Sequence, residues 1–200
     1  MTTTIYIVRH GEVHNPKGIL YGRLPRYRLS AKGRKEIKLT AEFLKDKHID
    51  AIYSSPLLRA KQTAEIIRES TKVPKITPSL YLLEVRTSYQ GVTFASLSPD
   101  QSELYFNPRV GDETLSDVAN RLEKIFKIFM HKHQGEHVVL VSHGDPLMLL
   151  RAILSDLPAI FSSVRSGNGF EYIKHGEIVA ITLTDKSVTQ IKSIFIPYVK

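Results

Sequence analysis

The chain has 200 residues, 42% of them hydrophobic, and a formal net charge of +8. A chain of this length buries enough surface for one compact domain, so we expect a single domain over residues 1–200. Cys is absent, which excludes disulfides, a thiolate nucleophile and a Cys-based metal site. Lys and Arg are spread over several helices rather than gathered in one stripe, so we expect no nucleic-acid partner.

The N-terminus passes from Met1 to Thr4 directly into a strand-like run, without the basic flank or cleavage site of a secretion signal. No apolar run approaches the ~20 residues that cross a bilayer, so we expect no membrane partner. The expected location is the cytoplasm. The oligomeric state is left open, with a homodimer as one alternative.

The first half of the chain alternates between strand and helix patterns. A β-branched run predicts a buried strand at residues 5–8. Helical spacing of apolar residues predicts a helix over 30–47, and a strand follows at 49–54. A second helix is predicted over 57–70, with a short strand at 73–76 between two prolines.

The second half begins with a segment in which the periodicity fails, at about residues 85–112. We interpret it as an irregular, partly helical cover over a site. The remaining elements are predicted helices at 114–134 and 146–154 and predicted strands at 138–142, 170–173, 178–184 and 188–194. This order predicts an α/β fold: a three-layer α/β/α sandwich with a mostly parallel central sheet.

Two segments share one pattern, a buried strand that ends in a histidine and then a glycine. His10 and Gly11 follow the first strand, and His143 and Gly144 follow the strand at 138–142. In open α/β sheets ligands bind at the carboxyl ends of the strands. Two histidines at these ends can therefore share one pocket.

The residues around these strand ends suit the transfer of a phosphoryl group. Arg9 precedes the first histidine, Arg59 begins a predicted helix, and Glu84 is an isolated acid before the cover. Planar guanidinium groups match phosphate oxygens better than lysine does, and a carboxyl group can exchange a proton with the leaving group.

An ordered set of motifs resembles the histidine phosphatase superfamily, in its phosphoglycerate mutase-like branch. A lone Arg-His-Gly is a weak signal, whereas a set in the family's order along most of the chain is specific. The segments that carry the resemblance are Arg9 to Glu12, Asn15, Gly22, Leu29 to Gly33, Ser54 to Ala60, Gln62 to Ala64, Glu84, Glu113 to Thr114, Arg121 and Ser142 to Gly144.

The resemblance implies a mechanism in two displacements. His10 would attack phosphorus and form a phosphohistidine, and it must be neutral to do so. Glu84 would act as the general acid toward the leaving oxygen and then as the base toward water. No metal and no cofactor is implied, because cationic side chains take the place of a metal ion.

The resemblance also implies the groups that bind the phosphoryl oxygens. Arg9, Arg59 and a protonated His143 would stabilise the charge of the transition state. Asn15 and the backbone N–H of Gly144 would add neutral donors. The implied partner is a small phosphorylated metabolite.

Three segments depart from the family's pattern, and all lie at the expected rim or cover. Arg26 stands where an Asp is common, residues 85–91 replace a Gly-rich aromatic stretch, and residues 112–114 replace a common Gly-Glu-Ser. The substrate therefore stays open. Four rim arginines are candidates for contacting a second anionic group on it, namely Arg23, Arg26, Arg28 and Arg86.

Two alternatives to a phosphatase stay open. The interval between Glu84 and His143 is short, and a short cover admits water, so we favour hydrolysis over a cofactor-dependent phosphoglycerate mutase. A catalytically silent module that binds phosphorylated ligands is the other alternative. Three further histidines are interpreted as surface residues rather than a metal site, namely His131, His133 and His137.

Overall fold

The structure is a computed structural model that describes residues 1–165, 171–185 and 187–196. A sheet of six strands in the order β3-β2-β4-β1-β5-β6 forms its centre. The strands from β1 to β4 are parallel, whereas β5 is antiparallel to both of its neighbours. The predicted mostly parallel sheet is therefore confirmed. The strands are β1 (Thr2–Arg9), β2 (Ala51–Ser54), β3 (Ile76–Pro78), β4 (His137–Ser142), β5 (Ile178–Thr184) and β6 (Ser187–Ile194).

Helices cover both faces of the sheet, as the three-layer prediction requires. Buried residues of α1 and α2 pack on one face, and those of α4 and α5 pack on the other. Apolar residues of the strands fill the space between these layers. The helices are α1 (Ala31–Lys45), α2 (Leu58–Thr71), α3 (Glu103–Phe106), α4 (Leu115–Lys132), α5 (Gly144–Leu154) and α6 (Phe161–Val164).

Side-chain caps set the starts of the two longest helices. Ser30 accepts from the backbone N–H of Gly33 at the start of α1. Thr114 and Asp117 form a reciprocal capping box at the start of α4. Each cap contributes about 0.5–2 kcal/mol and explains why both helices begin within one residue of the predicted boundary.

One predicted strand is shifted and another is wrong. The strand expected at residues 73–76 lies at Ile76–Pro78, because pairing with β2 begins only at Ile76. Residues 171–173 form no strand, and Phe170 lies outside the described residues. There the Ile173 carbonyl accepts from the Arg9 guanidinium, so this backbone serves the site rather than the sheet.

The cover segment is irregular and partly helical, as predicted. Within 85–112 the structure has one short 3₁₀ turn, Phe94–Ser96, and the four-residue helix α3. Cover residues line the cavity described below. Among the described residues, no helix combines the length and the apolarity needed to cross a bilayer.

Candidate active site

The carboxyl ends of three neighbouring strands form the floor of the site. The His10 N–H donates to the Ser142 carbonyl at 3.1 Å, and the Ser55 N–H donates to the Val141 carbonyl at 2.9 Å. These bonds continue the sheet one residue beyond β1 and β2. They place His10, Ser55 and His143 side by side at one edge.

The His10 ring is fixed through both of its nitrogens. Its Nδ1 is 2.8 Å from the Gly11 carbonyl, and the Arg59 Nε–H donates to its Nε2 at 3.1 Å. This network assigns the proton to Nδ1 and the lone pair to Nε2. Burial and the charges of Arg59 and Arg9 lower the pKa of His10 well below its ordinary value. The imidazole is therefore a neutral base, as a nucleophile must be.

Arg59 is charged and almost completely buried, with 1% of its surface exposed. Its Nη2 donates to the Gly22 carbonyl at 2.8 Å, and its guanidinium carbon lies 4.7 Å from the centre of the Tyr21 ring. The ring face stabilises the cation by cation–π attraction. The guanidinium is thereby held against Nε2 of His10.

Arg9, the last residue of β1, lines a cavity that adjoins the site. Its Nη1 donates to the Ile173 carbonyl at 2.7 Å, and its guanidinium carbon lies 5.1 Å from the centre of the Tyr172 ring. Its Nε is buried and has no hydrogen-bond partner in the described part of the chain. Arg9 therefore offers an unused donor beside the nucleophile.

His143 packs edge-on against His10, with 5.1 Å between the ring centres. Its Nε2 lies 2.8 Å from the Ser55 hydroxyl, and its Nδ1 is buried without a hydrogen-bond partner among the described residues. Burial and the charge of Arg59 lower the pKa of His143 well below its ordinary value. This lowered pKa favours the neutral ring over the expected imidazolium. With the Ser55 O–H donating to Nε2, the proton of His143 is on Nδ1.

Glu84 approaches His143 and Arg59 from the loop before the cover. Its Oε2 lies 4.0 Å from Nη2 of Arg59 and 3.9 Å from Nδ1 of His143. Burial and the nearby Asp145 carboxylate raise the pKa of Glu84, although Arg59 opposes the shift. A raised pKa keeps the carboxyl group protonated to higher pH, which suits a proton donor.

Arg23 holds the Glu84 loop. Its Nε donates to the Glu84 carbonyl at 2.7 Å, and its Nη2 pairs with Glu113 at 2.7 Å. Glu113 also pairs with Arg121, whose Nη2 lies 3.4 Å from the same Glu84 carbonyl. These contacts make Arg23 part of a clamp on the Glu84 loop, and its contact with a substrate stays a prediction.

The other three rim candidates are exposed and do not line the cavity. They are Arg26, Arg28 and Arg86, and their contact with a substrate stays a prediction. Arg26 has a left-handed backbone, with φ of 67°, in the loop after Arg23. Their positions depend on the path of surface loops, which the sequence pattern does not specify.

The two expected neutral donors occupy different environments. The Asn15 side chain exchanges hydrogen bonds with the backbone of Ile19, at 2.9 and 3.3 Å, and so closes its own loop. Gly144 begins α5 with His143 as the N-cap. Its N–H belongs to the first helical turn, where donors lack an intrahelical acceptor.

The histidines near the end of α4 are not all surface residues, which corrects one prediction. His133 is buried, with its Nε2 2.9 Å from the Tyr53 hydroxyl and its Nδ1 2.6 Å from Glu136. His131 is exposed, as expected. In the described ranges, no three His, Cys, Asp or Glu side chains are grouped so that they could hold a metal ion.

Three neighbours of the site were missing from the sequence-based prediction. His175 packs against His10 with 5.6 Å between the ring centres, and Arg165 and Asp145 form an ion pair at the cavity wall. Asp145 directly follows His143-Gly144, so its place at a strand end was a usable signal. Arg165 and His175 lie in irregular segments, where no pattern indicates which way a side chain points.

Comparison with known proteins agrees with this geometry. The family model of the histidine phosphatase superfamily (branch 1) matches residues 5–169. The chain therefore belongs to the histidine phosphatase superfamily, which confirms the resemblance of its motifs. It is 31% identical to phosphoserine phosphatase 1 of Hydrogenobacter thermophilus over 163 residues, which cover 75% of each chain. It is 32% identical to the metal-independent phosphoserine phosphatase of Arabidopsis thaliana, over 76% of this chain and 67% of that one.

Solved structures share the fold. The chain superposes on Bacillus stearothermophilus YhfR with a TM-score of 0.82, at 25% identity and with 94% of each chain covered. It superposes on a mycobacterial glucosyl-3-phosphoglycerate phosphatase with a TM-score of 0.75, at 23% identity and with 91% of each chain covered. The second likeness concerns the fold alone. The phosphatases among the sequence relatives support a phosphatase activity for this chain.

Proposed function

We propose that the chain is a phosphomonoester hydrolase that acts through a phosphohistidine intermediate on a small phosphorylated metabolite. One observation carries the proposal: Nδ1 of His10 donates to the Gly11 carbonyl, so the lone pair is on Nε2, where it accepts from Arg59 until a phosphoryl group replaces that hydrogen bond. A buried, neutral imidazole among cations suits attack on an anionic ester. The names of the two phosphoserine phosphatase relatives support a small substrate.

In the first step, Nε2 of His10 attacks phosphorus in line and the bond to the ester oxygen breaks. Glu84 gives its proton to that oxygen, so an alcohol leaves and a phosphohistidine remains. The raised pKa of Glu84 supports this role. Placing the acid within about 4 Å of His143 and Arg59 keeps it near the reacting centre.

In the second step, water attacks the phosphohistidine and the bond from phosphorus to nitrogen breaks. The Glu84 carboxylate takes the proton of the water, and inorganic phosphate is released. The two steps return both His10 and Glu84 to their starting protonation states. The site is therefore ready for another turnover, with water as the second reactant in each cycle.

Fixed donors stabilise the charge on the phosphoryl oxygens during both steps. Arg9 and Arg59 provide cations, and the Nδ1–H of neutral His143 provides a hydrogen bond. Such preorganised donors are often the largest contribution to catalysis. We propose that these groups do the work of a metal ion, so that hydrolysis is independent of metal.

A generic aryl phosphate tests the proposal. We expect phosphate release by the wild-type protein, unchanged in excess chelator, and none by His10→Ala. His14→Ala is the matched control, since His14 is exposed in the same loop. A denaturing quench at alkaline pH during turnover should trap a phosphoryl label on His10, and subsequent acid treatment should release it.

Three outcomes would overturn the proposal. Equal release by wild type and His10→Ala removes the nucleophile. Loss of activity in chelator removes metal independence. Isomerisation of phosphoglycerate that needs a bisphosphate primer, with little phosphate release, would identify a mutase instead.

A further inference from the structure

A cavity of about 480 Å³ adjoins the candidate active site and reaches beyond the phosphoryl-binding groups. Its volume is about sixteen times the ~30 Å³ that one molecule occupies in liquid water. The cavity therefore has room for the organic part of a substrate. We propose that Arg165, at the wall of this cavity, binds a carboxylate carried by the phosphomonoester. This inference rests on the proposed function. Apolar side chains complete the wall, namely Val85, Phe94 and Leu104.

Arg165 has one unused donor edge. Its Nε donates to the Asp100 carbonyl at 2.7 Å, and its Nη1 donates to the Asp145 carboxylate. Its Nη2 is buried and has no hydrogen-bond partner within the described ranges. Buried guanidinium donors without an acceptor are uncommon in folded proteins, and a ligand oxygen would satisfy this one.

Asp145 fixes the orientation of that donor edge. Its Oδ1 accepts from both Arg165 and the Tyr172 hydroxyl, and its Oδ2 accepts from the Tyr105 hydroxyl. Because three donors already satisfy this carboxylate, it serves as a positioning residue. A guanidinium held in one orientation loses little conformational freedom when it binds a ligand.

Arg9 and Arg165 line the same cavity. Their guanidinium carbons lie 5.1 and 5.6 Å from the centre of the same Tyr172 ring, so they are at most about 11 Å apart. This bound allows a short substrate to place its phosphoryl group at Arg9 and a second anionic group at Arg165.

A carboxylate fits this second position better than another phosphate. Only the Nη2 edge of Arg165 is unused, and Asp145 already offsets the charge of the guanidinium. A phosphate dianion calls for several donors, whereas one N–H edge suffices for a carboxylate oxygen. The inferred substrates are short phosphorylated acids.

Matched pairs of esters test the inference. O-Phosphoserine is compared with O-phosphoethanolamine, and 3-phosphoglycerate with glycerol 3-phosphate, since the members of each pair differ mainly in the carboxylate. We expect wild-type kcat/KM to be about tenfold or more higher for the carboxylated member, because charge-assisted pairs are strong. Arg165→Gln and Arg165→Lys should each reduce this ratio toward one.

Arg109→Gln is the matched control, because Arg109 is an exposed arginine of the cover that does not line the cavity. It should leave the ratio and aryl phosphate hydrolysis unchanged. A wild-type ratio near one overturns the inference whether or not the variants fold, as does a ratio that survives in folded Arg165→Gln. Failure of the wild type to hydrolyse any ester, aryl phosphate included, instead contradicts the proposed function.

Discussion

The Nε–H of Arg59 donates to Nε2 of His10 across 3.1 Å in the buried floor of the site. One cation therefore orients the proposed nucleophile and disfavours its protonation, since the charge of Arg59 contributes to the lowered pKa of His10. In the proposed mechanism, the same guanidinium also contacts the phosphoryl oxygens on which charge develops. Orientation, protonation and transition-state stabilisation thus depend on one side chain.

Arg59→Lys tests this dependence. A lysine ammonium cannot contact both the Gly22 carbonyl and Nε2 of His10 in the planar geometry of a guanidinium. We expect kcat/KM for aryl phosphate to fall about 10²- to 10³-fold, the typical cost of losing one preorganised donor. Arg68→Lys, in the last turn of the same helix, is the control. A loss of less than about threefold in Arg59→Lys would contradict the assignment.

The pH profile tests Glu84. The pKa of His10 lies well below 6.5, so the nucleophile remains neutral as the pH falls through 6.5, and no loss of kcat/KM is expected there. The pKa of Glu84 is raised above 4.5, so loss of its proton should produce the alkaline decline. Glu84→Gln cannot exchange a proton and should remove that decline.

The same variant should discriminate between leaving groups. For an alkyl phosphate, whose leaving oxygen needs a proton, we expect Glu84→Gln to lower kcat/KM about 10²- to 10⁴-fold. For p-nitrophenyl phosphate the loss should be much smaller. Glu42→Gln, at an exposed carboxylate of α1, should change neither. Equal losses for both esters in Glu84→Gln would rule out the role of proton donor.

His175 makes the folded protein sensitive to acid. Its pKa is lowered to about 3, chiefly by burial and then by the charge of Arg9. The unfolded chain, with a pKa near 6.5, binds this proton more readily, so the free energy of unfolding falls as the pH drops from about 6.5 toward 3. His175→Gln should weaken that dependence in urea unfolding at several pH values. The exposed His131→Gln should retain it, and an unchanged slope in His175→Gln would contradict the shift.

Patterns within a few neighbouring residues predicted the strand ends and helix starts that carry the site. The strand–His–Gly repeats located His10 and His143, and side-chain caps located the starts of α1 and α4. Contacts between distant segments were not predictable in this way. Arg165 reaches Asp145 from an irregular segment, and the direction of the Arg23 side chain is set by Glu113, 90 residues away.

Gly33 illustrates a constraint that helix propensity alone would miss. Replacing a glycine by alanine inside a helix usually stabilises it by about 1 kcal/mol. A Cβ at Gly33, however, would lie 2.2 Å from the Glu12 carbonyl oxygen in the loop that follows His10. We therefore expect Gly33→Ala to lower the free energy of unfolding by about 1–3 kcal/mol and to lower kcat as well.

Urea unfolding checks the sign of this effect. Lys38→Ala, at an exposed position of the same helix, should change the free energy of unfolding by no more than about 0.5 kcal/mol. An increase in stability in Gly33→Ala would show that the loop and the helix can separate without cost. It would also contradict the close approach of α1 to the candidate site.

Two histidines near the end of α4 show how burial separates neighbours of the same residue type. His133 is 5% exposed and bonds to both Tyr53 and Glu136, whereas His131 faces solvent. Removing the buried ring leaves the Tyr53 hydroxyl without this partner and opens a cavity beside the core. His133→Ala should therefore lower the free energy of unfolding by about 1–3 kcal/mol, whereas His131→Ala should change it by less than about 0.5 kcal/mol. Both residues precede β4 while the site follows it, so kcat for aryl phosphate should stay at the wild-type value in both variants. Equal free energies of unfolding for His133→Ala and His131→Ala would contradict the burial of His133.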